Sequence, residues 1–128
     1  MKYLLDTHTL IWVAMEDQRL SPAVASLLVS QPGSAYVSAA SGWEMATKNR
    51  LGKLRDVETL LEQFEGRIEG IGFGLMDITV RHSIFAGQLK GSHGDPFDRI
   101  LAAQALLENL TLLSNDRELD AFGVRRIW

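Results

Sequence analysis

Acidic residues stand at the points where short apolar segments of this chain give way to amphipathic ones. Asp6 ends the apolar segment Tyr3-Leu4-Leu5, and Asp116 follows a second such segment. Glu44 and Asp98 lie near the starts of predicted helices. Alternating strands and helices predict an α/β fold, with a central, mostly parallel sheet covered by helices on both faces. The carboxyl ends of such strands meet in one crevice, so we expect these four acids to form a negative site suited to Mg²⁺.

The periodicity of apolar residues, together with cap and turn residues, divides the chain into strands and helices. Strands are predicted at 2–6, 35–37, 73–78, 110–113 and 124–128. Helices are predicted at 22–30, 39–51, 57–69, 79–89, 96–108 and 116–121. No linker, repeat or low-complexity segment interrupts this pattern, so residues 1–128 are predicted to form a single domain.

The composition is that of a globular protein without thiol chemistry. Apolar residues make up 46% of the chain and charged residues 23%, and cysteine is absent, which excludes disulfides and thiolate sites. The N-terminal apolar stretch is broken by Asp6 and His8, lacks signal-peptide features and is too short to span a bilayer. We therefore expect a cytoplasmic protein with no membrane partner. With a net charge of −3, nucleic-acid binding would need local basic patches and bridging metal.

Helix capping offers an ordinary explanation for most of these acids. Ser41 and Glu44 have the spacing of a capping box. Asp95, followed by proline, is a predicted N-cap that leaves Asp98 in the first helical turn. Asp6 is different, because a carboxylate at the end of a buried strand is costly unless it is paired or binds a cation. No Lys or Arg lies near Asp6 in the sequence to pair with it.

Other polar side chains near the acids are candidates for supporting roles. Thr7 and Ser114 lie at predicted strand ends, where a hydroxyl could bond to a carboxylate or to metal-bound water. Asn115 and Glu118 have capping-box spacing, which would make Asp116 a first-turn anion. Candidate contacts for nucleic-acid phosphates are the basic residues Lys48, Arg50, Lys53, Arg55, Arg99 and Arg117. Zinc-ligand spacing is absent from the three histidines, His8, His82 and His93.

Four stretches of the chain, in order, resemble the motifs of PIN-domain ribonucleases, in particular the VapC-type toxins of bacterial toxin–antitoxin pairs. They are LLDTHTLIW at 4–12, SGWEMATK at 41–48, HGDPFDRILAAQA at 93–105 and LLSND at 112–116. The resemblance covers nearly the whole chain and implies a PIN-like three-layer α/β/α sandwich. It places the family's acids on Asp6, Glu44, Asp98 and, at a more variable position, Asp116. Ser114 falls on a position that is usually Thr or Ser.

By this resemblance the chain is a metal-dependent endoribonuclease and the toxin of a toxin–antitoxin pair. The four acids would hold one or two Mg²⁺ or Mn²⁺ ions, which activate a water for in-line attack on an RNA phosphodiester. Asp95 belongs to the Asp-Pro-Phe-Asp form of the third motif and is a candidate supporting residue. Gly42 departs from the family, which often has a bulkier apolar residue there. A homodimer and a cognate antitoxin that occupies the site are also implied.

Two other classes of α/β protein also gather carboxylates at strand ends. A non-catalytic, Mg²⁺-binding regulatory module such as a phospho-receiver would need an acidic pair after the first strand and a late-strand lysine, and neither is evident. A metal-dependent phosphatase with an aspartyl nucleophile would need a second Asp two residues after Asp6, where His8 stands. Both alternatives stay open at this point, and the sequence does not specify which RNA would be cleaved.

Overall fold

The sheet at the centre of the fold has five strands, all of them parallel. The computed structural model describes all of residues 1–128. The strands are β1 (Tyr3–Leu5), β2 (Ala35–Ser38), β3 (Gly74–Met76), β4 (Thr111–Leu113) and β5 (Arg126–Ile127), in the spatial order β3-β2-β1-β4-β5. Because β2 and β4 flank β1 on opposite sides, the direction of strand progression reverses between β1 and β4. Ligands of open α/β sheets bind in the crevice at such a reversal.

Helices cover both faces of the sheet. They are α1 (Thr7–Ala14), α2 (Pro22–Ser30), α3 (Ala39–Arg50), α4 (Glu58–Leu61), α5 (Phe64–Ile71), α6 (Val80–Gln88) and α7 (Pro96–Leu107), with 3₁₀ helices at Pro32–Ser34 and Arg117–Phe122. Alternate residues of a strand face opposite sides of a sheet. Accordingly, Tyr3 and Leu5 pack in one core with Leu10 of α1, whereas Leu4 packs in a second core with Leu101 of α7. The predicted three-layer α/β/α sandwich is confirmed.

Cap residues start these helices, although not always at the predicted positions. Asp95 is the N-cap of α7, and its Oδ1 accepts from the amides of Phe97 at 2.9 Å and Asp98 at 3.1 Å. The predicted capping box at Ser41 is wrong. The N-cap of α3 is Ser38, whose Oγ accepts from the amide of Ala40 at 3.0 Å, so Ser41 lies inside the helix and is fully buried.

Two helical segments differ from the prediction. Helix α1 was not predicted, because its sequence is apolar on nearly every side and shows no clear helical period. The helix predicted at 57–69 is two helices, because Gln63 has a left-handed φ of +53°. The apolar stripe continues across this break, with Leu60 and Ile68 both buried, so periodicity did not reveal it. The bounds of the other elements differ from the prediction by at most two residues. No helix is both long enough and apolar enough to cross a membrane.

Candidate active site

The four predicted acids meet in one polar cavity at the carboxyl ends of β1 and β4. The cavity has a volume of about 530 Å³, and no hydrophobic side chain lines it. Its lining residues are Asp6, His8, Glu44, Lys48, His93, Asp95, Asp98, Asn115, Asp116 and Glu118. Six of these are carboxylic acids, and the only lysine or arginine among them is Lys48. The cavity is therefore a concentrated negative site with one permanently charged cation in it.

Asp6 is one of the two buried acids of the cavity, together with Glu44. It is the N-cap of α1, where its Oδ1 accepts from the amide of Thr7 at 2.7 Å. Its Oδ2 accepts from the hydroxyl of Ser114 at 2.6 Å. Burial raises the pKa of Asp6, and the charge of Glu44 adds to this, while Ser114, His8 and Thr7 oppose it without cancelling it. Thr7 and Ser114, which were predicted to support the site, thus both bond directly to the Asp6 carboxylate.

Glu44 projects from α3 into the cavity and is also buried. The hydroxyl of Thr7 donates to its Oε1 at 2.6 Å, and the ammonium group of Lys48 binds its Oε2. The Oγ atoms of Thr7 and Ser41 lie 3.0 Å apart. Because the carboxylate can only accept, the single hydroxyl proton of Thr7 belongs to Glu44, and Ser41 supplies the donor of the second bond. Thr7 therefore connects the end of β1 to α3.

Asp98 lies in the first turn of α7, with Asp95 as the helix cap. The Nε2 atom of His93 lies 2.8 Å from its Oδ2 atom. Burial raises the pKa of Asp98 to about 6, and the charges of Asp95, Asp6 and Glu44 act in the same direction against the bond from His93. The bond to Asp98 also raises the pKa of His93, which favours the imidazolium form.

Asp116 approaches the cavity from the segment that follows β4. Its amide donates to the Oγ of Ser114 at 3.0 Å, and the same hydroxyl donates to Asp6. Asp116 itself, and not Asn115, caps the last 3₁₀ helix, with its Oδ1 accepting from the amide of Glu118 at 3.0 Å. The predicted capping box at Asn115 is thus wrong. Ser114 links Asp6 and Asp116, which follow the neighbouring strands β1 and β4.

The structure separates the six basic residues predicted to contact phosphates. Lys48 lines the cavity, whereas Arg50, Lys53 and Arg55 are exposed on the end of α3 and the loop after it. Arg117 is also exposed and does not line the cavity. The structure therefore places Lys48 in the cavity and leaves Arg50, Lys53, Arg55 and Arg117 on the surface outside it.

The phosphate contact of Arg99 stays a prediction, and in this structure its guanidinium group is already engaged. Its guanidinium group donates to three backbone carbonyls, those of Ala86 at 3.0 Å, His93 at 2.8 Å and Leu89. It also lies over the ring of Phe122, with the guanidinium carbon 5.5 Å from the ring centroid. Arg99 consequently fastens the loop between α6 and α7, the loop that carries His93 to Asp98.

Three cavity residues had no assigned role from their motifs. His8 and Glu118 line the cavity, and His93 bonds to an acid. Sequence spacing did not predict their place in the cavity, because the three residues lie on separate segments: α1, the α6–α7 loop and the last 3₁₀ helix. His82 is structural: its Nδ1 accepts from the amide of Thr79, and its own amide bonds to the Thr79 hydroxyl at the start of α6.

The donor atoms in this cavity fit a hard divalent cation. Carboxylate oxygens are the preferred ligands of Mg²⁺ and Mn²⁺. The raised pKa values of Asp6 and Asp98 mean that negative charge is buried here without full compensation, which a cation would provide. In the present side-chain positions no three acidic or histidine groups converge on one ion. Lys48 binds the Oε2 atom of Glu44 and His93 bonds to the Oδ2 atom of Asp98, whereas no hydrogen bond is donated to the Oδ1 atom of Asp98.

Comparison with known proteins places the chain in a family. The model of the PIN domain family matches residues 3–124. The chain belongs to the PIN domain family. Ribonuclease VapC22 from Mycobacterium tuberculosis (strain ATCC 25618 / H37Rv) is 32% identical to it over 120 residues, which are 91% of this chain and 88% of the relative.

Solved structures share the fold of this PIN domain. DNA-bound VapBC from Salmonella typhimurium matches with a TM-score of 0.74 and 22% identity, over 99% of this chain and 97% of that chain. A toxin–antitoxin complex from Klebsiella pneumoniae matches with a TM-score of 0.62 and 18% identity, over 90% of this chain and 87% of that chain. At these identities the likeness shows the fold alone.

The two alternative classes lack support in the PIN-domain structure. Neither β4 (Thr111–Leu113) nor β5 (Arg126–Ile127) contains a lysine, so the late-strand lysine of a receiver is absent. The residue two positions after Asp6 is His8, which lines the cavity but is not the second Asp of an aspartyl phosphatase. The ribonuclease family is the interpretation that agrees with the whole chain.

Proposed function

We propose that this chain is a metal-dependent endoribonuclease and the toxin of a toxin–antitoxin pair. The observation that supports this most strongly is Asp6, a carboxylate only 6% exposed that lies at the strand reversal and faces a cavity with five further acids. Burying such a charge is costly unless a cation compensates it. Membership of the PIN family and the ribonuclease name of the 32% identical relative supply the reaction class.

Each acid has a role in this proposal. Asp6, Glu44, Asp98 and Asp116 hold one or two Mg²⁺ or Mn²⁺ ions, with Asp116 the least critical of them. Bound metal supplies a stronger water nucleophile and neutralises charge that develops on the phosphate. Ser114 keeps the Asp6 carboxylate in place through its 2.6 Å bond. Asp95 supports the site by starting α7, so that the Asp98 side chain enters the cavity.

RNA is the proposed substrate, and the exposed basic residues beyond α3 are its proposed contacts. Arg50, Lys53 and Arg55 are exposed at and beyond the end of the helix that carries Glu44 and Lys48, and there they would neutralise backbone phosphates without reading sequence. Arg117, beside Asp116, is a second proposed contact. Such contacts would offset the repulsion between RNA and a protein whose net charge is −3.

A cognate antitoxin is the proposed protein partner, and a homodimer the proposed assembly. The similar structures include VapBC and a toxin–antitoxin complex, and this chain covers 97% and 87% of the matched chains. An antitoxin that covers the acidic cavity would keep RNA out of it. Co-expression with a cognate antitoxin should therefore abolish growth arrest and yield a complex that elutes as one species.

The test of the activity is RNA cleavage by the purified protein in Mg²⁺, in Mn²⁺ and in chelator. Wild type should cleave in either metal and not in chelator. Asp6→Ala, Glu44→Ala and Asp98→Ala should each abolish cleavage, because each removes a proposed ligand, while Asp116→Ala should retain part of it. Asp77→Ala is the matched control, since Asp77 is exposed and does not line the cavity.

Circular dichroism establishes that each variant is folded before its activity is compared. Cleavage that persists in chelator would contradict the metal-dependent mechanism. Cleavage by a folded Asp98→Ala protein would show that the residues assigned here do not perform the reaction.

A further inference from the structure

Lys48 is placed unusually for a lysine on a helix surface. It follows Glu44 by one helical turn in α3, and its ammonium group binds the Glu44 carboxylate directly. Exposed pairs of this kind contribute little to stability. Here, however, the Glu44 side chain is 5% exposed, so the lysine compensates a buried charge. Removing one partner of such a pair leaves the other charge buried and unpaired.

The ammonium group of Lys48 binds Glu44 and also experiences the charges of Asp95 and Asp98. Burial acts to lower its pKa, but the bond to Glu44 and the charges of Glu44, Asp95 and Asp98 outweigh burial and raise the pKa. Lys48 therefore keeps its positive charge at neutral pH. Because it is the only lysine or arginine in the cavity, it is the main permanent counter-charge to the acids there.

The other bonds to the proposed metal ligands come from groups that differ from Lys48. Asp6 accepts from an amide and a hydroxyl, which are neutral and compatible with a cation on the same carboxylate. Asp98 is bonded by His93 through one oxygen, Oδ2, and no protein group donates to its Oδ1 atom. Lys48, in contrast, places a positive charge directly on the Glu44 carboxylate, so a divalent ion beside Glu44 would repel it at short range.

We propose that Lys48 is the resident counter-ion of this site: in the metal-free protein its ammonium group occupies the Glu44 carboxylate, and it competes with the divalent ion for that ligand. This inference rests on the proposed function, because it assumes that Glu44 binds metal. When the ion binds, the ammonium group leaves Glu44 and remains at the cavity, where the phosphate of an RNA strand would take over as its partner. Lys48 is thus a positioning residue that sets how readily the site takes up metal.

The measurement is Mn²⁺ binding to the intact protein by titration calorimetry, at fixed ionic strength and without RNA. Lys48→Met keeps much of the apolar stem and removes the charge. It should bind Mn²⁺ at least about fivefold more tightly than wild type, because the competing cation is gone. Lys53→Met is the matched control: it loses the same charge from an exposed site outside the cavity and should stay within about twofold of wild type.

Thermal unfolding provides a second readout, the gain in melting temperature on adding Mn²⁺, which a purely structural ion pair would leave unchanged. Lys48→Met should melt below wild type in chelator, since Glu44 loses its partner, yet gain more in melting temperature from Mn²⁺. If the lysine only stabilised α3, the metal-free melting temperature would fall while the gain from Mn²⁺ stayed the same. Lys48→Gln, which keeps a neutral donor toward Glu44, serves if the methionine variant does not fold.

The outcomes separate this inference from the function it rests on. Equal or weaker Mn²⁺ affinity in both Lys48 variants, with wild type binding normally, overturns the counter-ion role and leaves the metal site intact. A gain in affinity that Lys53→Met matches also overturns it, because the effect is then one of net charge. Absence of Mn²⁺ binding in wild type and all variants overturns the metal-dependent function as well.

Discussion

Replacing Asp98 by asparagine should make the metal-free protein more stable at neutral pH. The Asp98 carboxyl has an ordinary pKa of 3.8, which burial and the neighbouring charges of Asp95, Asp6 and Glu44 raise to about 6. The folded protein thus disfavours the ionised form that exists at pH 7. An asparagine has no charge to lose, and its amide oxygen can still accept the bond that His93 donates at 2.8 Å.

The magnitude follows from the two pKa values. The difference between 3.8 and about 6 is about two pH units, which sets an upper limit of about 3 kcal/mol of unfolding free energy, because solvent screening reduces the value for this partly buried group. Because the folded-state pKa is the higher one, the folded protein binds more protons between these values, and stability falls as pH rises through that interval. The cost of the Asp98 charge is therefore absent below about pH 4 and complete above about pH 6. Asp98→Asn should remove it.

Urea unfolding in chelator, at a series of pH values from about 4 to about 8, measures the difference between variant and wild type. That difference should grow between about pH 4 and pH 6, toward a limit of about 3 kcal/mol. Asp77→Asn is the control, because it makes the same chemical change at an exposed position outside the cavity. A difference that does not vary with pH, or a variant less stable than wild type at pH 8, would refute the reasoning.

Three further changes test other parts of the structure. The double variant Lys53→Ala, Arg55→Ala should weaken RNA binding across sequences and flatten its salt dependence, as measured by fluorescence anisotropy; an unchanged salt slope would make these residues ordinary surface. Asp95→Ala should lower the unfolding free energy by about 0.5–2 kcal/mol in urea while part of the activity persists, because it removes the cap of α7. Arg99→Lys should lower it by about 1–3 kcal/mol and speed hydrogen exchange in the loop at 89–94, since lysine cannot serve three separate carbonyls. Arg81→Lys, at an exposed position, should change neither quantity.

Much of the fold could be predicted from local sequence patterns. Short β-strands and their order with helices follow from apolar runs and from caps such as Asp95, which depend only on neighbouring residues. The candidate site was accessible for a related reason. In a parallel sheet every strand ends at the same edge, so Asp6 and Asp116, placed after their strands, had to approach one crevice once the sheet was parallel.

Other features could be decided only by the tertiary structure, because they depend on groups far apart in the chain. Lys48 and Lys53 belong to one basic stretch, yet only the direction of α3 puts the first into the cavity and leaves the second exposed. Arg99 follows a predicted metal ligand, and nothing local shows that it turns away to bind carbonyls of the preceding loop. The break at Gln63 between α4 and α5 leaves the spacing of apolar residues unchanged, so the periodicity of the sequence does not reveal it. A side chain's neighbours across the sheet are set by strand order and loop path, and neither is encoded in the spacing of adjacent residues.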